Sequence, residues 1–274
     1  MGLVRHMVQR PIWLLGLVIM ALAYGAQAVA LHLGALNVVQ PLMVSELVLL
    51  VLLLWLWYST PLRSRDLAAA GATALGLGLF LYLAAPTGGH HAPSNYLWFE
   101  VTLVLGIVVG VLLLFGRRGS SRRRALLLGA AASIGFALVS ALTKSMTNLL
   151  VDGWGALFSS WQLYALVVIG LGSFLVMQSA FQVGPFAASQ STLILVNPFV
   201  SMAVGHVLFA EHLHGGARDV SLEALSLLIM MVGALGLSNS ALVAQVHDEQ
   251  GTQLLRGRGR YARWRRRAAG VTGR

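Results

Sequence analysis

Cysteine is absent from this chain of 274 residues. That excludes a disulfide framework, a thiolate nucleophile and any cysteine-ligated metal centre. Charge is nearly as scarce: Asp, Glu, Lys and Arg make up 10% of the residues, against about 25% in a soluble domain. Lysine occurs once, at Lys144, so the formal net charge of +10 is carried by arginine. No glycine-rich phosphate loop, serine nucleophile elbow or His-Glu metalloprotease helix is present. The chain is therefore not read as an enzyme, and no cofactor is implied.

What the chain does have is long apolar runs. Apolar residues make up 57% and the mean hydropathy is +0.78, the composition of a polytopic membrane protein. A span needs roughly 20 apolar residues, and eight stretches qualify: 12–33, 38–58, 67–83, 97–115, 125–149, 161–181, 187–210 and 222–246. A signal peptide ending at Ala26-Gln27-Ala28 is disfavoured, because the apolar run is long for one and the repeat described below claims the residues beyond it.

The arginines give the chain a direction. Arg5 and Arg10 precede the first span, and Arg63 and Arg65 follow the second. Arg117, Arg118, Arg122, Arg123 and Arg124 follow the fourth, and the arginines from Arg256 to Arg274 follow the eighth. An eight-span topology puts all of these on one side and Arg218 alone on the other. The positive-inside rule makes the crowded side cytoplasmic, with both termini there, in a bacterial-type plasma membrane. Trp13, Trp57, Tyr58, Tyr96, Trp98, Trp154 and Trp161 fall near the expected interfaces, as an aromatic belt does.

A weak internal repeat lies at one offset. The run VALHLGALNVVQP (29–41) aligns with SAFQVGPFAASQS (179–191), and Val18, Ile19, Ala30, Gly34 and Gln40 match Val168, Ile169, Ala180, Gly184 and Gln190. The first copy enters from the cytoplasm and the second from outside. The repeats, about 11–84 and 161–246, are thus inverted in topology, as in many secondary transporters. Segments 97–149 link them inside a transmembrane domain of 1–246, followed by a basic tail, 247–274.

A charge inside a bilayer is costly and marks function by default. Glu46 and Lys144 fall within apolar runs. Glu46 lies about 12 Å below the start of its span, and the repeat brings Asn197 and Pro198 to similar depth from the opposite face. Pro198 has no N–H, which frees a carbonyl near Ile194 for a cation or polar substrate. Gln27, Gln40, Gln178, Gln182 and Gln190 flank the turns and helix ends, where hydrogen bonds between helices are expected, with one or two of them lining the cavity. Lys144 lies late in its span, where snorkelling to the outer interface is expected, although a pairing with Glu46 is also open. Gly129, Ala131, Gly135, Gly170 and Gly172 are read as packing residues. His90, His91 and the run Glu211-His212-x-His214 have metal-ligand types but are read as solvated loops, so no metal site is expected. The tail is read as an anchor for anionic lipid rather than for nucleic acid.

The runs RPIWLLGLVIMALAYGAQAVALHLGALNVVQPL (10–42), ALTKSMTNLL (141–150), AFQVGPFAASQ and NPFVSMAVGHVLFAEHL resemble the drug/metabolite transporter superfamily, in particular its EamA-like and NIPA-like magnesium-transporter branches. The resemblance covers nearly all of 10–245 and implies an α-helical carrier with a central cavity between inverted repeats. It departs at the N-terminus, where the family's first helix has no counterpart; either a late start codon or a truncated variant accounts for that. The expectation is an all-α integral membrane protein that moves a small metabolite or ion by alternating access, with Glu46, Asn197, Pro198, Gln40, Gln190 and Lys144 at its site. A Mg²⁺ carrier and a non-transporting accessory subunit are the alternatives. Homodimerisation is left open.

Overall fold

The structure, a computed structural model, describes residues 11–58, 63–84, 93–151, 153–211 and 217–238. They form ten helices: α1 (Pro11–Leu33), α2 (Leu36–Met43), α3 (Ser45–Tyr58), α4 (Ser64–Ala84), α5 (Asn95–Phe115), α6 (Ser121–Val151), α7 (Trp154–Ser159), α8 (Trp161–Val183), α9 (Phe186–Phe209) and α10 (Ala217–Ser238). Eight spans are long and apolar enough to cross a bilayer, with α2 and α3 together forming one of them. No strand occurs among the described residues. The chain is an all-α integral membrane protein, which follows from the need of every backbone polar group in hydrocarbon for an internal partner.

The bounds depart from the sequence expectation at three places. The second span is broken: Pro41 offers no N–H to the carbonyl one turn before it, and the Val44 N–H turns back to the Pro41 carbonyl at 3.0 Å. The fifth span starts earlier than expected because Ser120 Oγ accepts the Arg123 N–H at 3.4 Å, an N-cap bond. Arg122, Arg123 and Arg124 therefore sit in the first turn of α6 rather than in the loop. The last span begins at Ala217; the expected end at 246, the tail 247–274, Arg5, Arg10, His90, His91, His212 and His214 lie outside the described residues.

The repeat is visible in the helix bounds themselves. Leu33 and Val183, and Leu36 and Phe186, each stand 150 positions apart. Both copies break at the same register, Gly34-Ala35 and Gly184-Pro185. Five candidate spans precede α8, the odd number that an inverted second copy requires. Equivalent elements touch across the pseudo-symmetry, α4 against α10 and α2 against α9.

Helix α6 is the axis of the bundle. It packs against α1, α5, α8 and α9 and buries most of its length behind small side chains, including Gly129, Ala131, Ala132, Gly135 and Ala137. In lipid, where apolar burial gives little drive, close backbone approach supplies the packing energy. A Cβ at Gly129 would stand 3.0 Å from the Ser189 carbonyl, and one at Gly135 would collide with the Ser173 hydroxyl. Gly172, by contrast, faces open space, so its reading as a packing residue is corrected. Trp98 is also corrected: it is 1% exposed and stacks edge-on with Trp161 and Phe209 at 5.6 and 6.4 Å, inside the core rather than in a belt. Gly184 packs so tightly on the Ser121 carbonyl that no Cβ fits, which seats the α8–α9 turn beside the arginine-bearing start of α6.

The α4–α10 pair is the clearest test of this packing. A Cβ at Gly76 would lie 2.7 Å from both Met230 Cα and the Ser226 carbonyl, whereas nothing approaches Gly78 within 4 Å. Gly76→Val is expected to lower stability by about 1–3 kcal/mol, the usual cost of overpacking, or to prevent assembly. Gly78→Ala on the same helix should leave the detergent melting temperature nearly unchanged.

Candidate functional site

Two polar constellations lie between the repeat units, one above the other. The upper one sits where α1 breaks into α2. A helix start leaves its first N–H groups without partners, and this one is buried in protein, with Leu36 and Asn37 shielded from water. Glu211 fills the role from the far end of α9. Leu36 N–H donates to its Oε1 at 2.8 Å and Asn37 N–H to its Oε2 at 2.9 Å, a carboxylate at the positive end of a helix dipole. The Asn37 side-chain amide nitrogen donates to the Met202 carbonyl at 2.9 Å and to Glu211 Oε2 at 3.3 Å.

Lys144 completes this upper site. Its Nζ donates to Glu211 Oε1 at 2.6 Å and to the Gly34 carbonyl at 2.9 Å, and lies 5.2 Å from the centre of the Phe209 ring, a cation–π distance. The two side chains are 3% and 0% exposed, inside an apolar shell of Leu31, Leu36, Val39, Leu142, Leu208 and Phe209. Local backbone geometry aims the carboxylate. Ala210 adopts φ 50° in the left-handed region, a strained conformation for a non-glycine residue, and turns Glu211 back so that its N–H bonds the Gly205 carbonyl at 3.3 Å. Gly205 leaves room: a Cβ there would stand 2.6 Å from Glu211 Oε2 and 2.8 Å from the Asn37 side chain.

Lys144 is therefore not snorkelling to the interface, and its partner is Glu211 rather than Glu46. The snorkelling expectation fails because α6 carries Lys144 on its buried face, where a paired carboxylate compensates the charge. Glu211, read from sequence as part of a solvated histidine loop, is fully buried.

The lower constellation is a cavity of about 240 Å³ lined by α2, α3, α6, α8 and α9. Five of the six expected residues line it: Gln40, Glu46, Gln190, Asn197 and Pro198. Only Lys144 stands apart. Met43, Phe136, Met177 and Leu193 are among the apolar walls. Asn197 Nδ2 donates to Gln40 Oε1 at 3.3 Å, joining α2 to α9 across the repeat. That bond commits the Gln40 oxygen, and Gln40 Nε2 has no hydrogen-bond partner among the described residues. Glu46, in the first turn of α3, is on the cavity wall. Pro198 is buried beside Ile194, whose carbonyl it deprives of a helical N–H. Gln178 and Gln182 are exposed and do not line the cavity. A further acidic side chain, Glu223 in α10, is 2% exposed; it was hidden from the sequence reading by its position close to a span end.

The chain is similar to an uncharacterized protein of Corynebacterium glutamicum, with 28% identity over 232 residues, covering 84% of this chain and 80% of that protein. No family model matches the chain. No solved structure matches it.

The two constellations should respond differently to loss of a carboxylate. Removing one partner of a buried pair costs about 3–5 kcal/mol, so Glu211→Gln and Lys144→Met should each lower the melting temperature strongly. Glu46→Gln, at a cavity wall, should melt close to the unaltered protein.

Proposed function

We propose that this protein is a secondary transporter that moves a small solute by alternating access, of the drug/metabolite transporter type that the sequence resembles. The observation that carries the reading is the cavity: both repeat units line it, and its one carboxylate and three side-chain amides meet at mid-depth. Glu46 stands about 15 Å from the start of α2 at 1.5 Å per residue, close to the centre of a hydrocarbon core about 30 Å thick. The volume is below the roughly 300–1,000 Å³ of a drug-sized site, which favours a solute of few heavy atoms or a hydrated ion.

The parts divide the work as follows. Glu46 binds a proton or the solute's cationic group, since an ionised carboxylate at this depth needs a partner. Gln40, Gln190 and Asn197 supply amide donors and acceptors, and the carbonyl freed by Pro198 adds an acceptor. The Lys144–Glu211 pair closes one end, because it clamps the start of α2 to α6 and α9 above the cavity. Gln190, four residues into α9, extends the lining toward the other end, where the Gly184 turn and the arginines lie. The positive-inside rule assigns that open end to the cytoplasm. Transport then requires the clamp to release as the opposite end closes, the two inverted units exchanging roles.

The test is ligand-induced stabilisation of detergent-purified protein across amino acids, polyamines and Mg²⁺, followed by flux in proteoliposomes. A ligand at 100 times its Kd stabilises by about 2.7 kcal/mol. The expected result is a melting-temperature rise and a flux that are both lost in Glu46→Gln. Undiminished flux in that variant would sink the assignment, and a rise specific to Mg²⁺ would select the divalent-cation branch.

A further inference from the structure

The turn between α5 and α6 encloses a second cavity, of about 540 Å³, lined by Leu114, Phe115, Arg117, Arg118, Gly119 and Arg123. It is far from the midplane site and plays no part in the transport reading. Its walls are of two kinds. Leu114 and Phe115 end the apolar helix α5 with their side chains 62% and 59% exposed, at the depth where acyl chains meet headgroups. The other walls are guanidinium-bearing.

Among the described residues these guanidiniums have no ion-pair partner. Arg117, Arg118 and Arg123 donate no side-chain hydrogen bond to any described residue, whereas Lys144 is paired with Glu211. The α6 N-terminus adds the positive end of a helix dipole, with no acidic residue in its first turn. The turn is held rigid. Arg124 Nε donates to the Gly116 carbonyl at 3.2 Å, and Ser120 caps Arg123. Gly119 takes φ 113°, a backbone that glycine adopts readily, which brings the Arg123 stem against the turn. Three exposed cations around a cleft, without an ion-pair partner among the described residues, beside two exposed apolar side chains match one ligand chemistry, a phosphate on an acyl chain.

We propose that this turn is a specific site for an anionic phospholipid, its phosphate held by Arg117, Arg118 and Arg123 and its acyl chain lying along Leu114 and Phe115. Guanidinium forks suit phosphate geometry better than a diffuse positive surface does, and basic pockets beside membrane helices on the cytoplasmic side hold such headgroups. This differs from general attraction of the arginine-rich face to the bilayer, to which every cation contributes alike.

The experiment separates these two. Binding of phosphatidylglycerol is titrated against phosphatidylcholine and inorganic phosphate by the melting temperature of the full chain in detergent. The unaltered protein is compared with Arg117→Gln/Arg118→Gln/Arg123→Gln and with Arg63→Gln/Arg65→Gln, which removes cations of the same face outside the cavity. Stabilisation by phosphatidylglycerol alone is expected, weakened roughly a hundredfold in the triple variant at about 1 kcal/mol per basic residue. The Arg63/Arg65 variant should keep its apparent affinity within about threefold, the shift that a fraction of a kcal/mol produces. Equal losses in the two variants, or stabilisation by phosphatidylcholine to the same extent, would overturn the proposal. Saturation by inorganic phosphate at the same concentration would reassign the site to free phosphate. Should the triple variant not fold, Arg118→Gln alone, expected to lose about fivefold, decides by the same comparison.

Discussion

A helix start that is buried in protein leaves its first amide groups and the preceding carbonyl without water, and the fold must bring partners to them. Here the partners come from 110 and 175 positions away, Lys144 to the Gly34 carbonyl and Glu211 to the Leu36 N–H. Neither charge is tolerable alone at this burial. Together they leave no donor or acceptor idle: three polar N–H groups and one ammonium meet the two carboxylate oxygens, and the ammonium also reaches a carbonyl and a ring face. Much else follows from that arrangement. Position 205 must be glycine-sized, Ala210 must accept a left-handed backbone, and the ends of α6 and α9 are fixed relative to the α1–α2 break.

The same arrangement shapes the cavity. The polar clamp holds α2 near its start, while Pro41 and the break at Val44 let the rest of that span diverge from α9. The space opened there receives Glu46 and the amides of Gln40, Gln190 and Asn197. A continuous, unbroken second span would pack along α9 and leave no such volume. Broken spans in hydrocarbon are sustained only where they are buried in protein or line a cavity, and the break at Val44 lies on the cavity wall.

What was legible in the sequence follows from how each signal is averaged. The spans are sums over roughly 20 residues, so single errors cancel and eight were found at nearly the observed bounds. The repeat was expected because a glycine break and a following glutamine recur at one offset, and the helix ends on either side of that break recur at the same offset. Depth arithmetic along the helices grouped Glu46 with Asn197 and Pro198, and the repeat register added Gln40 and Gln190; all five line one cavity. The clamp was not legible. Which face of α6 carries Lys144 depends on how several helices cross, and Glu211 lies just past a helix end beside histidines, a context that reads as solvent. Trp98 was misread for a similar reason: its distance from the helix end suggests an interface, but its neighbours Trp161 and Phe209 draw it inward. The hydrophobic sum that reveals a span carries no information on which side of it faces protein.

The central claim is that the Lys144–Glu211 clamp closes one end of a cavity that opens to the other. Because the chain contains no cysteine, a single Leu193→Cys reporter on the cavity wall can be read without background. The measurement is labelling by a membrane-impermeant thiol reagent added separately to each face of sealed, oriented vesicles. Labelling from the arginine-rich face alone is expected when the clamp is intact, and from both faces when Lys144→Met and Glu211→Gln are introduced together to remove both charges at once. Labelling from neither face would contradict the alternating-access reading itself. An unchanged one-sided pattern in a folded double variant would reduce the clamp to a structural staple.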